Sequence, residues 1–156
     1  MKIAVDFDGT IVENAYPAIG KPMLFAFDTL KALQKKGVHV AIITGRKSNI
    51  VEKRMSDLGV QHIYQGCEDK QPALHTIQRK LNICTSETAA IGDDMPDLGM
   101  FNASQCNVCV QDGHPAVAAQ AHYQTRTKGG FGAVRELCDL ILLAHGQLDS
   151  IYGASI

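Results

Sequence analysis

The sequence predicts an α/β protein in which helices cover both faces of a doubly wound, mainly parallel sheet, giving three layers. Short apolar runs, typical of strands buried on both faces, alternate with longer stretches in which apolar residues recur at helical spacing. The 156 residues are 46% apolar and 20% charged, the composition of a globular chain long enough for one substantial core. We therefore expect a single core domain over residues 1–146 and a tail over residues 147–156, where the periodicity ends.

Six segments have the character of strands. The first, second and fourth are continuous apolar runs, as expected for strands with a layer of helices on each side. The predicted strands cover residues 2–7, 38–43, 62–64, 88–91, 107–110 and 122–124. Their alternation with helices predicts right-handed crossovers and a ligand site beyond the carboxyl ends of the strands.

Four stretches between the strands place apolar residues on one face of a helix, and a glycine suited to a carboxyl-terminal cap follows three of them. We interpret all four stripes as core-facing surfaces without a role in chemistry. The stripes consist of Leu24, Phe27, Leu30 and Leu33; of Val51, Met55 and Leu58; of Leu74, Ile77 and Leu81; and of Val134, Leu137, Cys138, Ile141 and Leu142.

The charge and hydropathy of the chain exclude several classes of partner. With 15 basic and 16 acidic residues the formal net charge is −1, which gives no electrostatic reason to expect nucleic acid or an anionic membrane surface. No apolar run approaches the roughly 18 residues of a membrane span. The chain also begins with a strand-like segment rather than a signal peptide, so we expect a cytoplasmic protein.

The five cysteines are irregularly spaced and mostly lie among apolar residues, which favours reduced thiols packed in the interior. Cys106 and Cys109 form a Cys-x-x-Cys pattern that in other settings binds metal or carries redox chemistry. Here the pair lies in a strand-like run, where residues three apart face opposite ways. We therefore expect both thiols to be structural.

Asp6 and Phe7 end the first predicted strand and Asp8-Gly9-Thr10 follows, so that two carboxylates lie two positions apart. Residues i and i+2 of a strand point to the same side, so Asp6 and Asp8 should emerge together where Gly9 lets the chain turn. Taken alone, the pair also fits a surface turn, or the acidic cluster of a phosphate-accepting receiver domain. The choice between these interpretations depends on residues elsewhere in the chain.

Polar groups also follow the next three predicted strands. Thr44-Gly45-Arg46 ends the second strand, Lys70 follows the third and opens a helix, and an acidic cluster follows the fourth. Each has an ordinary structural interpretation, such as an acidic helix start favoured by the helix dipole. Because all of them lie in order at the carboxyl ends of strands, they predict one site. The acidic cluster consists of Asp93, Asp94 and Asp97.

These residue types favour phosphoryl transfer assisted by a cation. Asp6, Asp8 and Asp93 offer the oxygen ligands that Mg²⁺ prefers, and Asp94 and Asp97 are placed to orient the metal or its waters. The cation would reduce the repulsion between a carboxylate nucleophile and a phosphate dianion. Mg²⁺ is therefore the expected cofactor.

In this interpretation Asp6 attacks phosphorus, and Asp8 protonates the leaving oxygen and then activates water. Thr44 and Lys70 would hold the phosphoryl oxygens, the first by hydrogen bonding and the second by charge. The expected contacts to phosphate or substrate come from Asp8, Thr44, Gly45, Arg46 and Lys70.

The four motifs resemble those of the haloacid dehalogenase superfamily phosphatases over nearly the whole chain. From residue 38 onwards the chain is also similar to the 3-deoxy-D-manno-octulosonate 8-phosphate phosphatases, in segments 40–54, 58–66, 91–98, 112–117 and 128–148. The resemblance implies a Rossmann-like fold and a Mg²⁺-dependent phosphomonoesterase of lipopolysaccharide biosynthesis, working through an aspartyl-phosphate. It also implies a homotetramer. The alternatives are a phosphatase of another sugar phosphate and a catalytically silent, receiver-like binding module.

The chain departs from that family near its start. Residues 11–30 are shorter than the family's β-hairpin region and helical in pattern, and Phe131 stands where many relatives have Arg. The intervals from Asp6 to Thr44 and from Thr44 to Lys70 are too short for a cap domain. We therefore expect a capless, open site that neighbouring subunits close around a small phosphorylated sugar acid. Arg46 and the loop at Lys128 are candidates for binding its carboxylate.

Overall fold

The computed structural model describes residues 2–12 and 24–146. Most of the atypical stretch near the amino terminus and all of the predicted tail therefore lie outside the described residues. The strands are β1 Lys2–Val5, β2 His39–Thr44, β3 His62–Gln65, β4 Thr88–Gly92, β5 Cys106–Cys109 and β6 Tyr123–Gln124. The helices are α1 Leu24–Lys35, α2 Asn49–Asp57, α3 Gln71–Leu81, α4 Leu98–Phe101, α5 Pro115–Ala118 and α6 Ala133–Ala144.

The six strands form one sheet in the order β3-β2-β1-β4-β5-β6, and every neighbouring pair is parallel. The strand order reverses at β1, because β2 and β3 lie on one side of it and β4 to β6 lie on the other. In a sheet of this kind a crevice opens beyond the carboxyl ends of the strands at the reversal point. The predicted doubly wound α/β fold is confirmed.

Alternation along the strands builds two cores, one on each face of the sheet. Ile3 and Val5 of β1 pack with residues of α1, α2 and α6, whereas Ala4 packs with residues of α3 and α4. In β2 the residues Val40 and Ile42 belong to the first core, and Ala41 and Ile43 to the second. Helices thus cover both faces, which gives the three layers expected from the sequence.

The strand-like interpretation of the Cys-x-x-Cys segment is also confirmed. Cys106 packs against the first core and Cys109 is buried in the second, so the two thiols lie on opposite faces of β5. All five cysteines are free. Burial raises the pKa of the Cys109 thiol to about 11, with added repulsion from nearby carboxylates such as Asp93, which makes this thiol unreactive at neutral pH.

The structure corrects several predicted boundaries. Strand limits move by one or two residues, and the four-residue helices α4 and α5 were not predicted because each is too short to show a period. Helix α3 is capped by Asn82, which follows Leu81 and takes the left-handed conformation (φ 51°) that glycine adopts after the other predicted helices. Within the described ranges, no helix has the length and apolar character that a membrane crossing requires.

Candidate active site

A cleft of about 430 Å³ lies beyond the carboxyl ends of β1, β2 and β4, at the point where the strand order reverses. Apart from Lys128, every site residue predicted from the sequence lines it, and its volume lies in the range of pockets that bind small molecules. These lining residues are Asp6, Asp8, Thr44, Gly45, Arg46, Lys70, Asp93, Asp94 and Asp97, together with Cys67, Glu68 and Pro96.

Lys70 bridges two carboxylates at the floor of the cleft. Its Nζ atom donates to Oδ1 of Asp6 and to Oδ1 of Asp97, each at 2.5 Å, and all three side chains are buried. Lys70 reaches this position because it immediately precedes α3, with Pro72 near the helix start. Burial alone would lower the pKa of Lys70, but the two carboxylates outweigh burial and raise it, so the amine stays charged.

Asp97 is held in place by the backbone that follows β4. Its Oδ2 atom accepts the backbone N–H groups of Asp93 at 2.8 Å and Asp94 at 3.1 Å. The close approach requires Gly92, because a Cβ there would overlap the Asp97 carboxylate. The Asp94 side chain accepts the N–H of Met95 and thereby caps the 3₁₀ turn Met95–Asp97. The sequence predicted a supporting role for Asp97, and the structure places it inside the carboxylate cluster.

Asp93 lies against the loop that carries the Asp6 and Asp8 pair. Thr10 donates its hydroxyl to Oδ1 of Asp93 at 3.2 Å. Gly9 has φ +77°, and a Cβ at this position would overlap Oδ2 of Asp93. The glycine is therefore required twice, for the left-handed backbone and for the contact with the carboxylate.

The oxygens of Asp6, Asp93 and Asp97 lie within 4.8 Å of one another, a spacing that can hold a metal ion. Three carboxylates against one lysine leave two uncompensated negative charges in a mostly buried cluster. Burial and the neighbouring Asp97 raise the pKa of Asp6 well above its usual range, and the same causes raise the pKa of Asp93 to about 6. An all-oxygen donor set with this excess charge fits a hard divalent cation.

The sequence predicted Asp6, Asp8 and Asp93 as the metal ligands, but the structure pairs the Asp8 side chain with Arg46. Both oxygens of the Asp8 carboxylate accept from the Arg46 guanidinium, Oδ2 from Nε at 2.7 Å and Oδ1 from Nη2 at 2.8 Å. In the described part of the chain, the side chain that joins Asp6 and Asp93 in the candidate metal cluster is Asp97. The Asp8 side chain instead forms half of an ion pair with Arg46.

Thr44 ends β2 with its side chain buried beside the cleft, where its Oγ1 accepts the backbone N–H of Arg46 at 3.1 Å. The backbone here is also tied to the loop after β3, because Cys67 donates its N–H to the Thr44 carbonyl at 3.0 Å. These bonds fix the backbone of the turn Thr44-Gly45-Arg46.

A loop from the far end of the sequence supports the Asp8–Thr10 turn. Gly130 donates its N–H to the Thr10 carbonyl at 3.0 Å, and Gly129 lies so close to Gly9 that a Cβ at 129 would overlap the Gly9 carbonyl. Lys128, expected to meet a substrate carboxylate, has an exposed side chain and is not among the residues that line the cleft. The loop contributes backbone support instead.

The sequence did not predict two residues that hold the backbone and side chains around the cleft in place. Thr10 was noted only as part of a turn, although its hydroxyl bonds Asp93. Glu136 in the first turn of α6 was assigned no role, yet its carboxylate accepts from Tyr123 Oη, from Thr127 Oγ1 at 2.8 Å and from the backbone N–H of Arg126 and Thr127. An acidic residue at a helix start is too common to have indicated this role.

Comparisons with known proteins agree with this geometry. The model of the haloacid dehalogenase-like hydrolase family matches residues 3–68 and 62–137. The chain is 46% identical over 160 residues to the 3-deoxy-D-manno-octulosonate 8-phosphate phosphatase of Escherichia coli strain K12, an alignment that covers 99% of this chain and 85% of the relative. The chain belongs to the haloacid dehalogenase-like hydrolase family. Its reaction class is hydrolysis of phosphoric monoesters, and the predicted family resemblance is confirmed.

The fold is also similar to solved structures of phosphatases from the same group. The crystal structure of the Moraxella catarrhalis 3-deoxy-D-manno-octulosonate 8-phosphate phosphatase in complex with a magnesium ion, a phosphate ion and KDO superposes with a TM-score of 0.92 at 36% identity. It covers 99% of this chain and 92% of that one. The cobalt-bound enzyme of Haemophilus influenzae gives a TM-score of 0.91 at 29% identity, with coverages of 94% and 90%.

Proposed function

We propose that this protein is a Mg²⁺-dependent phosphatase that hydrolyses 3-deoxy-D-manno-octulosonate 8-phosphate. The observation that carries the proposal is the buried cluster of Asp6, Asp93 and Asp97 around Lys70, which lies in a cleft of small-molecule size. The substrate is taken from the similar Escherichia coli enzyme, and the magnesium from the similar Moraxella catarrhalis structure. The reaction would serve lipopolysaccharide biosynthesis.

Asp6, Asp93 and Asp97 would hold the Mg²⁺ ion, since their oxygens converge and their charge exceeds that of Lys70. When bound, the ion supplies positive charge that offsets the repulsion between the Asp6 carboxylate and a phosphate dianion. We assign the binding of phosphoryl oxygens to Lys70 and Thr44, with the open backbone of Gly45 beside them. Both side chains already line the cleft and are fixed by hydrogen bonds, so they need little reorganisation.

The first step of the proposed reaction uses Asp6 as the nucleophile and Asp8 as the general acid. A carboxylate oxygen of Asp6 forms a bond to phosphorus while the bond from phosphorus to the sugar oxygen breaks, giving an aspartyl-phosphate. The leaving alkoxide takes a proton from the Asp8 carboxyl group. Asp8 suits this role because it lines the same cleft but stands outside the carboxylate cluster.

The second step regenerates the enzyme. A water oxygen attacks phosphorus, its proton passes to the Asp8 carboxylate, and the bond between phosphorus and the Asp6 oxygen breaks. Inorganic phosphate leaves and Asp6 returns to its free form. Lys70 keeps contact with Asp6 throughout, which limits the motion of the nucleophile between the two steps.

The test is a panel of phosphorylated sugars incubated with the purified protein and Mg²⁺, with released phosphate as the readout. We expect the highest kcat/KM for 3-deoxy-D-manno-octulosonate 8-phosphate and no turnover in EDTA. A clear preference for a neutral sugar phosphate would transfer the proposal to that substrate. Absence of phosphate release from the whole panel would contradict it.

We also propose that neighbouring subunits close the site and that the assembly is a homotetramer. Large apolar side chains are exposed on the surface: Met95 is 48% exposed beside the lining residue Pro96, and Ile50 is 57% exposed at the start of α2. Sedimentation analysis should show a tetramer, and a monomer at assay concentration would contradict closure by subunits. The five free cysteines favour the cytoplasm as its compartment.

A further inference from the structure

The ion pair between Arg46 and Asp8 presents a problem for the proposed reaction. The guanidinium takes both oxygens of the Asp8 carboxylate in a forked arrangement, at 2.7 and 2.8 Å. The pair is well shielded, since the Arg46 side chain is 8% exposed and that of Asp8 is 19% exposed. A carboxylate held in this way has both oxygens engaged, yet the reaction needs one of them at the leaving oxygen of the substrate.

A sugar acid phosphate brings a second negative group into the cleft besides its phosphate. The cationic side chains that line the described cleft are Arg46 and Lys70. Lys70 is buried and already bridges Asp6 and Asp97 at the floor. Arg46 is therefore the cationic side chain of the described cleft that would bind a substrate carboxylate.

We propose that Arg46 exchanges its partner when substrate binds, leaving Asp8 for the carboxylate of the sugar acid and thereby freeing Asp8 for acid–base chemistry. This inference rests on the proposed function and deepens it, because it makes the substrate carboxylate a requirement for releasing the catalytic carboxyl group. Arg46 would thus determine specificity through Asp8, and phosphomonoesters without a carboxylate would leave Asp8 held.

The backbone around Arg46 suits such an exchange. Its N–H donates to Thr44 Oγ1 at 3.1 Å, and its carbonyl accepts the N–H of Gly66 at 3.1 Å. The main chain is thus anchored on both sides, so that the long side chain can change partner by rotation about its own bonds. Arginine also matches a carboxylate with two parallel hydrogen bonds, whichever carboxylate it meets.

Binding of the product sugar acid, 3-deoxy-D-manno-octulosonate, tests the exchange without turnover. If Asp8 competes with the ligand for Arg46, D8N should bind the sugar acid roughly tenfold more tightly than the wild type, and R46M roughly 30-fold more weakly. The carboxamide analogue of the same sugar should show neither change. Isothermal titration calorimetry in Mg²⁺ measures all three proteins, and circular dichroism checks that each is folded.

Glu68→Gln is the matched control, because Glu68 lines the cleft and its replacement removes one negative charge without touching the ion pair. The tightening in D8N should clearly exceed that in E68Q. Equal tightening in the two variants would mean that general electrostatics explains the effect, and would overturn the exchange. Unchanged or weaker binding of the sugar acid to D8N would also overturn it.

Kinetics give a second, independent measurement. R46M should lose roughly 100-fold in kcat/KM for the sugar acid phosphate but much less for its carboxamide, and added guanidinium should restore part of the loss in R46A. Retention of the preference for the acid in R46K would show that charge alone suffices and would overturn the forked exchange. Wild-type activity on p-nitrophenyl phosphate, with none on the sugar acid phosphate, would instead contradict the proposed substrate.

Discussion

Both ends of the sheet bury ionisable side chains, but they differ in what surrounds them. At the carboxyl end, Asp6, Lys70 and Asp97 share hydrogen bonds, and Asp97 also accepts two backbone N–H groups. At the amino end, His62 at the start of β3 is 6% exposed, and neither of its ring nitrogens has a hydrogen-bond partner in the described part of the protein. Its nearest aromatic neighbour there is His39, with ring centroids 6.2 Å apart.

The two ends of the sheet lower the stability of the folded protein in different ways. The carboxylate cluster carries excess negative charge that a bound cation can neutralise, so its contribution to folding depends on the metal. The unpartnered imidazole of His62 lowers stability whether or not metal is present, and its effect depends on pH instead. Substitutions at one end should therefore change the response to Mg²⁺, and substitutions at the other should leave that response intact.

The largest effect is expected for Asp6→Asn. Removing the proposed nucleophile should reduce kcat by at least roughly 10³-fold. The thermal unfolding midpoint in EDTA should stay the same or rise, because the excess charge of the cluster falls. Asp57→Asn, the same change at an exposed position at the end of α2, should keep full activity. Substantial phosphate release by D6N under identical conditions would refute the assignment of Asp6.

Lys70→Met should give the next largest effect. Loss of the amine leaves three carboxylates without their buried counter-ion, and breaking such a pair destabilises a protein by about 3–5 kcal/mol. Urea unfolding in EDTA should show this loss, and saturating Mg²⁺ should restore part of it. If K70M were as stable as the wild type in EDTA, the bridging geometry of Lys70 would not describe the protein in solution.

Removal of Mg²⁺ should have a smaller effect, confined to the carboxyl end. A ligand that binds only the folded state stabilises it by about 2.7 kcal/mol when its free concentration is about 100 times its Kd. Since the pKa of Asp93 is raised to about 6, Mg²⁺ must displace a proton below that pH, and its stabilising effect should shrink there. D93N should lose the Mg²⁺ response, whereas a variant at His62 should keep it.

His62→Leu should have the smallest effect and the opposite sign, a gain of roughly 1 kcal/mol from removing unpartnered nitrogens. Burial, with Lys80 and His39 nearby, lowers the pKa of His62 below its ordinary 6.5. The folded protein therefore resists protonation that the unfolded chain accepts, so wild-type stability should fall as the pH drops below about 6.5. The difference between the unfolding curves of H62L and the wild type should grow over that interval; a constant difference would argue against a neutral, buried imidazole.

The sequence predicted the fold because strand and helix patterns are local. Six strand-like segments and four helical stripes suffice for the fold class, since alternating strands and helices with short connections have few alternatives, whereas the strand order was not predicted. The helices α4 and α5 and the exact strand limits escaped prediction. They depend on which backbone groups find partners after folding, as with Asn82 ending α3 in place of a glycine.

The sequence predicted which residues form the site, but not which carboxylate pairs with which cation. The predicted residues that follow the strands all line the cleft, because residues at the carboxyl ends of neighbouring strands meet, whereas Lys128 of the late loop does not line it. Which carboxylate meets which cation depends on clearances that no spacing reveals. Asp97 enters the cluster because Gly92 leaves room for it, and Asp8 turns to Arg46, which reaches it from the end of β2.

The contact between Gly129 and Gly9 has a consequence for how the protein is made. The carbonyl of Thr10 receives its backbone partner from Gly130, which is synthesised much later than Asp6 and Thr10. On the ribosome, the turn after Asp6 therefore cannot reach its final form until residues 129 and 130 have emerged. Shorter nascent chains would carry the proposed nucleophile without this supporting loop, so that the candidate site takes its final shape only after the loop has joined it.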